Sequence, residues 1–207
     1  MNLDELLNGN LLEAMQTIVT KGVMQAAEGF SGMLGQNLNV DSPRVKLVDV
    51  TDIPGMLGGP ENEAVGIYLA AEGTMTGQFM LILPYQKALD LADLLMEQPE
   101  GTTEKLGSLE RSALAEVGNI TSTMFLNAIA SQTGISSRPT PPAVMVDMVG
   151  AILDIIVATT GGIAEKVLLL QTTFSCGERA LNAEFWVVPD PHTLKPMLEK
   201  ALEENGK

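Results

Sequence analysis

Basic residues, histidine and cysteine are all scarce in this chain, and each shortage closes off a class of function. Only 12 Lys and Arg stand against 26 Asp and Glu, for a formal charge of −14. A nucleic-acid surface needs clustered cations to neutralise phosphates, so no nucleic-acid partner is expected. A single cysteine, Cys176, and a single histidine, His192, exclude a disulfide framework and any His/Cys zinc site. A Ser-His-Asp or Cys-His enzyme would have to rely on His192 alone. Long apolar runs are missing as well. Residues 143–160 come closest, but Asp147, Gly150 and Asp154 interrupt them, well short of the roughly 20 residues that span a bilayer. Asp4 and Glu5 stand where a secretory signal carries basic residues before an apolar core. The expectation is a soluble, cytoplasmic chain with no membrane insertion.

What is present is a core. Of the 207 residues, 45% are hydrophobic, too many for a disordered acidic chain and enough for one sizeable domain. Residues 3–37 read as helix, because Leu11, Leu12, Met15, Ile18, Val19, Val23 and Ala26 recur at spacings of three and four. Asn37, Asp41, Ser42 and Pro43 form a stop signal. Residues 45–50 alternate as a strand, 52–60 form a Gly/Pro-rich link, and 64–71 with 75–83 make a hairpin turning at Glu72-Gly73-Thr74. Pro84 ends that hairpin, and 85–97 is helical. The same order then recurs: a long helix at 106–132 closed by Gly134, a proline-rich turn at 136–142, a strand at 143–149, a short helix or continuing apolar run at 151–158, a Gly161-Gly162 break, strands at 166–174 and 180–188, Pro189, and a last helix from Asp190 or His192 to about Glu203.

This repetition reads as an internal duplication, with repeats of about 3–100 and 105–205 within one domain spanning 1–207. Lys46-Leu47-Val48-Asp49-Val50 sits like Val144-Met145-Val146-Asp147, and Leu81-Ile82-Leu83-Pro84 like Trp186-Val187-Val188-Pro189. Neither unit has enough strands to cover its own apolar face, so the two are expected to share one sheet. The predicted class is α/β, more closely α+β: two pseudo-symmetric repeats sharing one mainly antiparallel sheet, with long helices packed on it.

The chemically informative stretch is Leu109–Gly134. Ser112, Glu116 and Asn119 fall four and three residues apart and therefore on one helical face, while Leu114, Val117, Ile120 and Met124 lie toward another side. Polar residues at this spacing ordinarily make no more than a solvated face. The Gly118-Asn119 pair is locally unfavourable, since mid-helix Gly costs about 1 kcal/mol relative to Ala and Asn competes for backbone hydrogen bonds. Close approach of a partner is one reason to keep such a pair.

Ser112-x3-Glu116-x2-Asn119-x22-Pro142 resembles the signature of the CheC/CheX/FliY family, phosphatases acting on the chemotaxis response regulator CheY, and the layout is most similar to CheC. With each residue type used at roughly one in twenty, a chance match at a given start is on the order of one in 10⁵. The resemblance implies a CheC-like fold over nearly the whole chain and a protein aspartyl-phosphate phosphatase. It implies that Glu116 pairs with a lysine of the response regulator and that Asn119 orients a water for in-line attack on phosphorus, with Ser112 and Pro142 supporting the motif. The enzyme brings no cofactor of its own; Mg2+ and the phosphorylated aspartate belong to the CheY-like partner. CheD, a receptor deamidase, is a further implied partner, and a non-catalytic adaptor binding CheY-phosphate or CheD is the rival reading. A flagellar-switch role in the manner of FliY is weaker, because no further module follows the last helix.

The first repeat departs from the signature. Sliding Gln36 onto Gln132 places Met15, Val19 and Gly22 opposite Ser112, Glu116 and Asn119, with Pro43 near the position of Pro142. A single active site is therefore expected, with Glu13 and Gln16 close enough to leave a shifted register open. The remaining residues read more plainly. His192 is a helix-start surface residue, Cys176 lies in a turn, and Gly58-Gly59-Pro60 is a turn with no P-loop lysine after it. Asp49 and Asp147 form either a buried pair or, more simply, part of a solvated strand face. Asp90, Asp93, Glu97, Glu100 and Glu104 read as a solvated acidic face.

Overall fold

In a computed structural model of the chain, which describes residues 9–34, 37, 39–41, 43–159, 166–176, 179–189, 196 and 199, the apolar periodicities become two long helices and a wide sheet. The elements run α1 (Gly9–Leu34), β1 (Asn39–Val40), β2 (Arg44–Asp49), a 3-10 turn (Val50–Asp52), α2 (Ile53–Met56), β3 (Glu63–Gly73), β4 (Gly77–Pro84) and α3 (Tyr85–Leu95). Then come α4 (Ser108–Thr133), β5 (Ser137–Pro139), β6 (Ala143–Met148), α5 (Val149–Thr159), β7 (Lys166–Cys176) and β8 (Arg179–Pro189). Most elements lie where the sequence puts them. Three refinements have local causes. The Gly/Pro-rich link contains a helical turn because Pro54 sits in the first turn of α2, where its missing N–H is harmless. The proline-rich turn holds a short strand, β5, laid along the end of β3. The apolar run after β6 resolves as helix α5. The expected last helix, His192 and Gly161-Gly162 fall outside the described residues, apart from helical Pro196 and Glu199.

All the strand pairings are antiparallel. The hairpins β3–β4 and β7–β8 meet at the centre through β4 and β8, with Met80 opposite Trp186. Outward from there the halves of the chain exchange strands. Strands β1 and β2, which precede the first hairpin, pair with β7, whereas β5 and β6 pair with β3. The sheet is therefore completed only when both halves are present.

Both faces of this sheet are covered, which explains why its strands read as continuous apolar runs such as Met80-Leu81-Ile82-Leu83. Val65, Ile67 and Leu69 of β3, Phe79, Leu81 and Leu83 of β4, and Leu168 and Leu170 of β7 face α1, α3 and α4. The alternate residues Ala64, Met80, Ile82, Val167, Leu169 and Trp186 face α2 and α5. Helix α4 lies antiparallel beside α1, with Gly22 against Phe125 and Gly29 against Ile120. Phe125 also meets Phe79 edge-on, with ring centroids 5.6 Å apart at 76°. Gly134 ends α4 in the left-handed conformation at φ 64°, and its N–H bonds to the Ala130 carbonyl.

One residue of the supposed acidic face is misassigned by the sequence. Asp93 is completely buried. Its Oδ2 accepts from the Gly101 and Thr102 N–H groups at 2.8 and 3.0 Å, and its Oδ1 from the Thr103 N–H at 2.8 Å. Composition alone reads an acidic residue as solvated; here three backbone donors of a distant loop replace the water. The loop so tied leads into α4. Burial pushes the Asp93 carboxyl up, but the hydroxyl and backbone bonds from Thr103, Thr102 and Gly101 outweigh it and hold the group below its ordinary value of 3.8.

A group with a depressed folded-state pKa contributes stability that is present above the unfolded pKa and lost as the pH falls through the folded one. Asp93→Asn is therefore expected to lower unfolding stability at neutral pH by about 1–3 kcal/mol. In urea titrations the gap between variant and parent should close as the pH falls below about 4; a gap independent of pH would contradict the ionised tie.

Candidate active site

The segment entering α4 is held at several points before the helix begins. Besides the Asp93 bonds, the Leu106 N–H donates to the Tyr85 hydroxyl at 3.3 Å, and Arg111 Nε reaches back to the Leu106 carbonyl at 3.3 Å. Leu106 itself is buried. Glu110 lies in the first turn, where its charge favours the helix N-terminus. The start of the helix is thus fixed in position.

Along α4 the inward row is Leu114, Val117, Gly118, Ser122, Phe125 and Leu126. That arrangement leaves Ser112 and Glu116 exposed and Asn119 half-buried on the solvent side. The Asn119 carboxamide approaches the Glu116 carboxylate, with Nδ2 3.5 Å from Oε2. This is the outer limit of a hydrogen bond, so neither group is consumed by the other. Ile120 and Met124 meet α1 at Gly29, as their different face requires.

The reason for Gly118 lies inside the chain. A Cβ at this position would stand 2.6 Å from Ile67 Cγ2 and 3.3 Å from Leu69 Cδ1. The sequence suggested a partner's close approach at Gly118-Asn119; the close approach is instead that of β3. Pro142 arrives at the same level of β3 from the edge. It immediately precedes β6, whose Ala143 pairs with Tyr68, and Thr140 exchanges hydrogen bonds with Ala70. Residues 23 positions apart in sequence, Asn119 and Pro142, are therefore brought to one stretch of the sheet, near Ile67–Ala70.

Among the described residues, the first long helix carries no second Glu-x2-Asn spacing. Matching the buried rows of the two helices superposes Met15, Ile18, Val19 and Val23 on inward-facing Leu114, Val117, Gly118 and Ser122. Glu13, Thr17 and Thr20 then stand opposite Ser112, Glu116 and Asn119, rather than the buried Met15, Val19 and Gly22 that sliding the glutamines suggested. The Thr17 and Thr20 hydroxyls donate to the Glu13 and Gln16 carbonyls of their own helix. Gln16 is occupied too: its Nε2 donates to the Pro43 carbonyl at 2.6 Å and its Oε1 accepts from the Val45 N–H at 2.9 Å. It fastens β2 to α1.

The other singled-out residues fall elsewhere. Asp49 is partly exposed and pairs with Lys166 at 3.6 Å, while exposed Asp147 accepts from its neighbour's N–H, so the two form no buried pair. Cys176 ends β7, paired with Arg179. Gly58 and Gly59 make the expected turn with positive φ. Among the described residues, no helix is long and apolar enough to cross a membrane.

No protein-family model matches the chain. Among curated proteins it is similar to the CheY-P phosphatase CheC of Bacillus subtilis (strain 168), 25% identical over 183 residues, covering 86% of this chain and 88% of that protein. Among solved structures its fold matches Thermotoga maritima FliY with a TM-score of 0.75 at 18% identity, over 96% of this chain and 99% of that one. It also matches the FliM middle domain from H. pylori with a TM-score of 0.66 at 10% identity, over 94% and 99% of the two chains. The likenesses in structure establish the fold, and the sequence match agrees with the resemblance carried by Ser112, Glu116, Asn119 and Pro142.

Gly118→Ala tests how the site is seated. Helix propensity alone would make Ala stabilising by about 1 kcal/mol. Against the stiff β-branched side chain of Ile67, overpacking should prevail and destabilise by about 1–3 kcal/mol. Thermal unfolding decides the sign, and a raised Tm would contradict the close contact.

Proposed function

We propose that this CheC-like chemotaxis protein hydrolyses the aspartyl phosphate of a CheY-like response regulator, with Glu116 and Asn119 as its working residues. The observation carrying this reading is the side-by-side placement of exposed Glu116 and half-buried Asn119 on one face of α4, in a chain similar over most of its length to a CheY-P phosphatase.

The chemistry asks for little more. Phosphoryl transfer passes through a loose transition state, so positioning and electrostatics do most of the work. The Asn119 carboxamide has both donor and acceptor capacity and can orient a water without changing its own charge. That water attacks phosphorus in line, and the aspartate carboxylate of the response regulator leaves with the electron pair of the broken P–O bond. Glu116 supplies a negative charge three residues away, suited to the regulator's lysine, and so competes for a cation that otherwise holds the phosphoryl group. Mg2+ and the phosphoryl group come with the substrate, so a chain with one His and one Cys is no worse equipped for this reaction.

The rival reading is an adaptor that binds CheY-phosphate, or CheD, without hydrolysis. It draws on the sharing of this fold with a FliM middle domain and on the lack of a Glu-x2-Asn spacing within the described residues of α1.

The test is direct. A CheY-like response regulator from the same genome is phosphorylated with a small phosphodonor, the donor is removed, and decay is followed with and without this protein. Acceleration is expected. Asn119→Ala should lower it by about 10²-fold, the scale of lost positioning, and Glu116→Ala should weaken it severely. Retained acceleration in Asn119→Ala would refute its assigned role, and binding without acceleration would favour the adaptor.

A further inference from the structure

Helix α4 presents an apolar residue on the same face as Glu116 and Asn119. Leu109 is 67% exposed, more than any other large hydrophobic side chain among the described residues. It stands in the first turn of α4, three residues before Ser112 and seven before Glu116. On a helix those offsets share one face, and seven residues set Leu109 roughly 10 Å along the axis from Glu116. The other large apolar residues of α4 are buried in the core or packed against it; Leu109 is the one left in water. Single exposed apolar residues are common and need no explanation by themselves. What distinguishes this one is its alignment with the working pair and the fixed base beneath it. The preceding loop is tied by Asp93, Tyr85 and buried Leu106, so little order remains to be lost when a partner covers the side chain.

Magnitudes explain why such a residue is needed. An exposed ion pair of the Glu116–lysine kind strengthens association by at most about fivefold, and an Asn used to hold water adds little in the ground state. Full burial of a leucine side chain is worth roughly 10- to 100-fold. Interfaces of this sort place an apolar anchor beside polar groups that fix orientation.

We propose that Leu109 is the docking anchor for the phosphorylated response regulator, seating it on α4 so that its lysine meets Glu116 and its phosphoryl group meets Asn119. This rests on the phosphatase reading above and adds a specificity residue to it. The partner carries an apolar patch about 10 Å from its active-site lysine, and a regulator with a charge at that patch is discriminated against. Leu109 positions the partner and takes no part in the reaction.

The test separates KM from kcat. In the decay assay Leu109→Ala should raise KM about tenfold with kcat unchanged, Leu109→Asp should raise it further, and Leu109→Met should restore parental KM. Unfolding curves of all three should match the parent, because the side chain is in water. Binding is followed in parallel by titration with the same regulator held active by beryllofluoride. An unchanged KM and Kd in Leu109→Ala and Leu109→Asp would overturn the proposal, as would a fall in kcat at constant KM. If the parent binds but does not hydrolyse, the phosphatase reading fails while the titration still decides the anchor. If the parent neither binds nor hydrolyses, both fail.

Discussion

The approach of α4 to β3 at Gly118 is the constraint on which the rest of this structure turns. With no side chain at that position, the helix settles onto Ile67 and Leu69 until their methyl groups fill the space a Cβ would take. This sets the height of α4 above the sheet and the rotation that leaves Ser112, Glu116 and Asn119 outward. It also fixes how far Asn119 stands from the edge, where Pro142 comes in beside Tyr68–Ala70. A helix that normally loses stability through Gly recovers it through dispersion contacts with buried β-branched and branched side chains.

The sheet beneath is rigid for a topological reason. Each half of the chain completes the other half's hairpin, β2 on β7 and β6 on β3, and two helical layers cover both faces. No strand exchange can be undone without exposing the apolar rows that line both faces. Three polar side chains act as fasteners: Gln16 holds the start of β2, Thr140 holds the end of the β5 segment, and Asp93 gathers three backbone donors. On the outer side of α4, Glu116 and Asn119 touch only at the outer limit of a hydrogen bond.

A carboxylate and a carboxamide do no difficult chemistry alone; under the proposed function the metal and the reactive bond belong to the partner. A FliM middle domain shares this fold at 10% identity, and a shared fold does not by itself carry a function.

The order of elements, the two long helices and the outward placement of Ser112, Glu116 and Asn119 were legible in the sequence, because helical and strand periodicities are local and each strand or helix must bury one face. The spacing of the signature residues was legible for the same reason, and it pointed to a family before any fold was in view. Tertiary structure alone decided the rest. Asp93 reads as one more surface acid until Gly101, Thr102 and Thr103 fold over it. Gly118 reads as a weak point until β3 lies beneath it. The correspondence of Glu13, Thr17 and Thr20 with the site residues follows from which rows of the two helices are buried, not from glutamine matches. Local patterns set which face of a helix is apolar; what that face meets, and how closely, depends on residues far away in the chain.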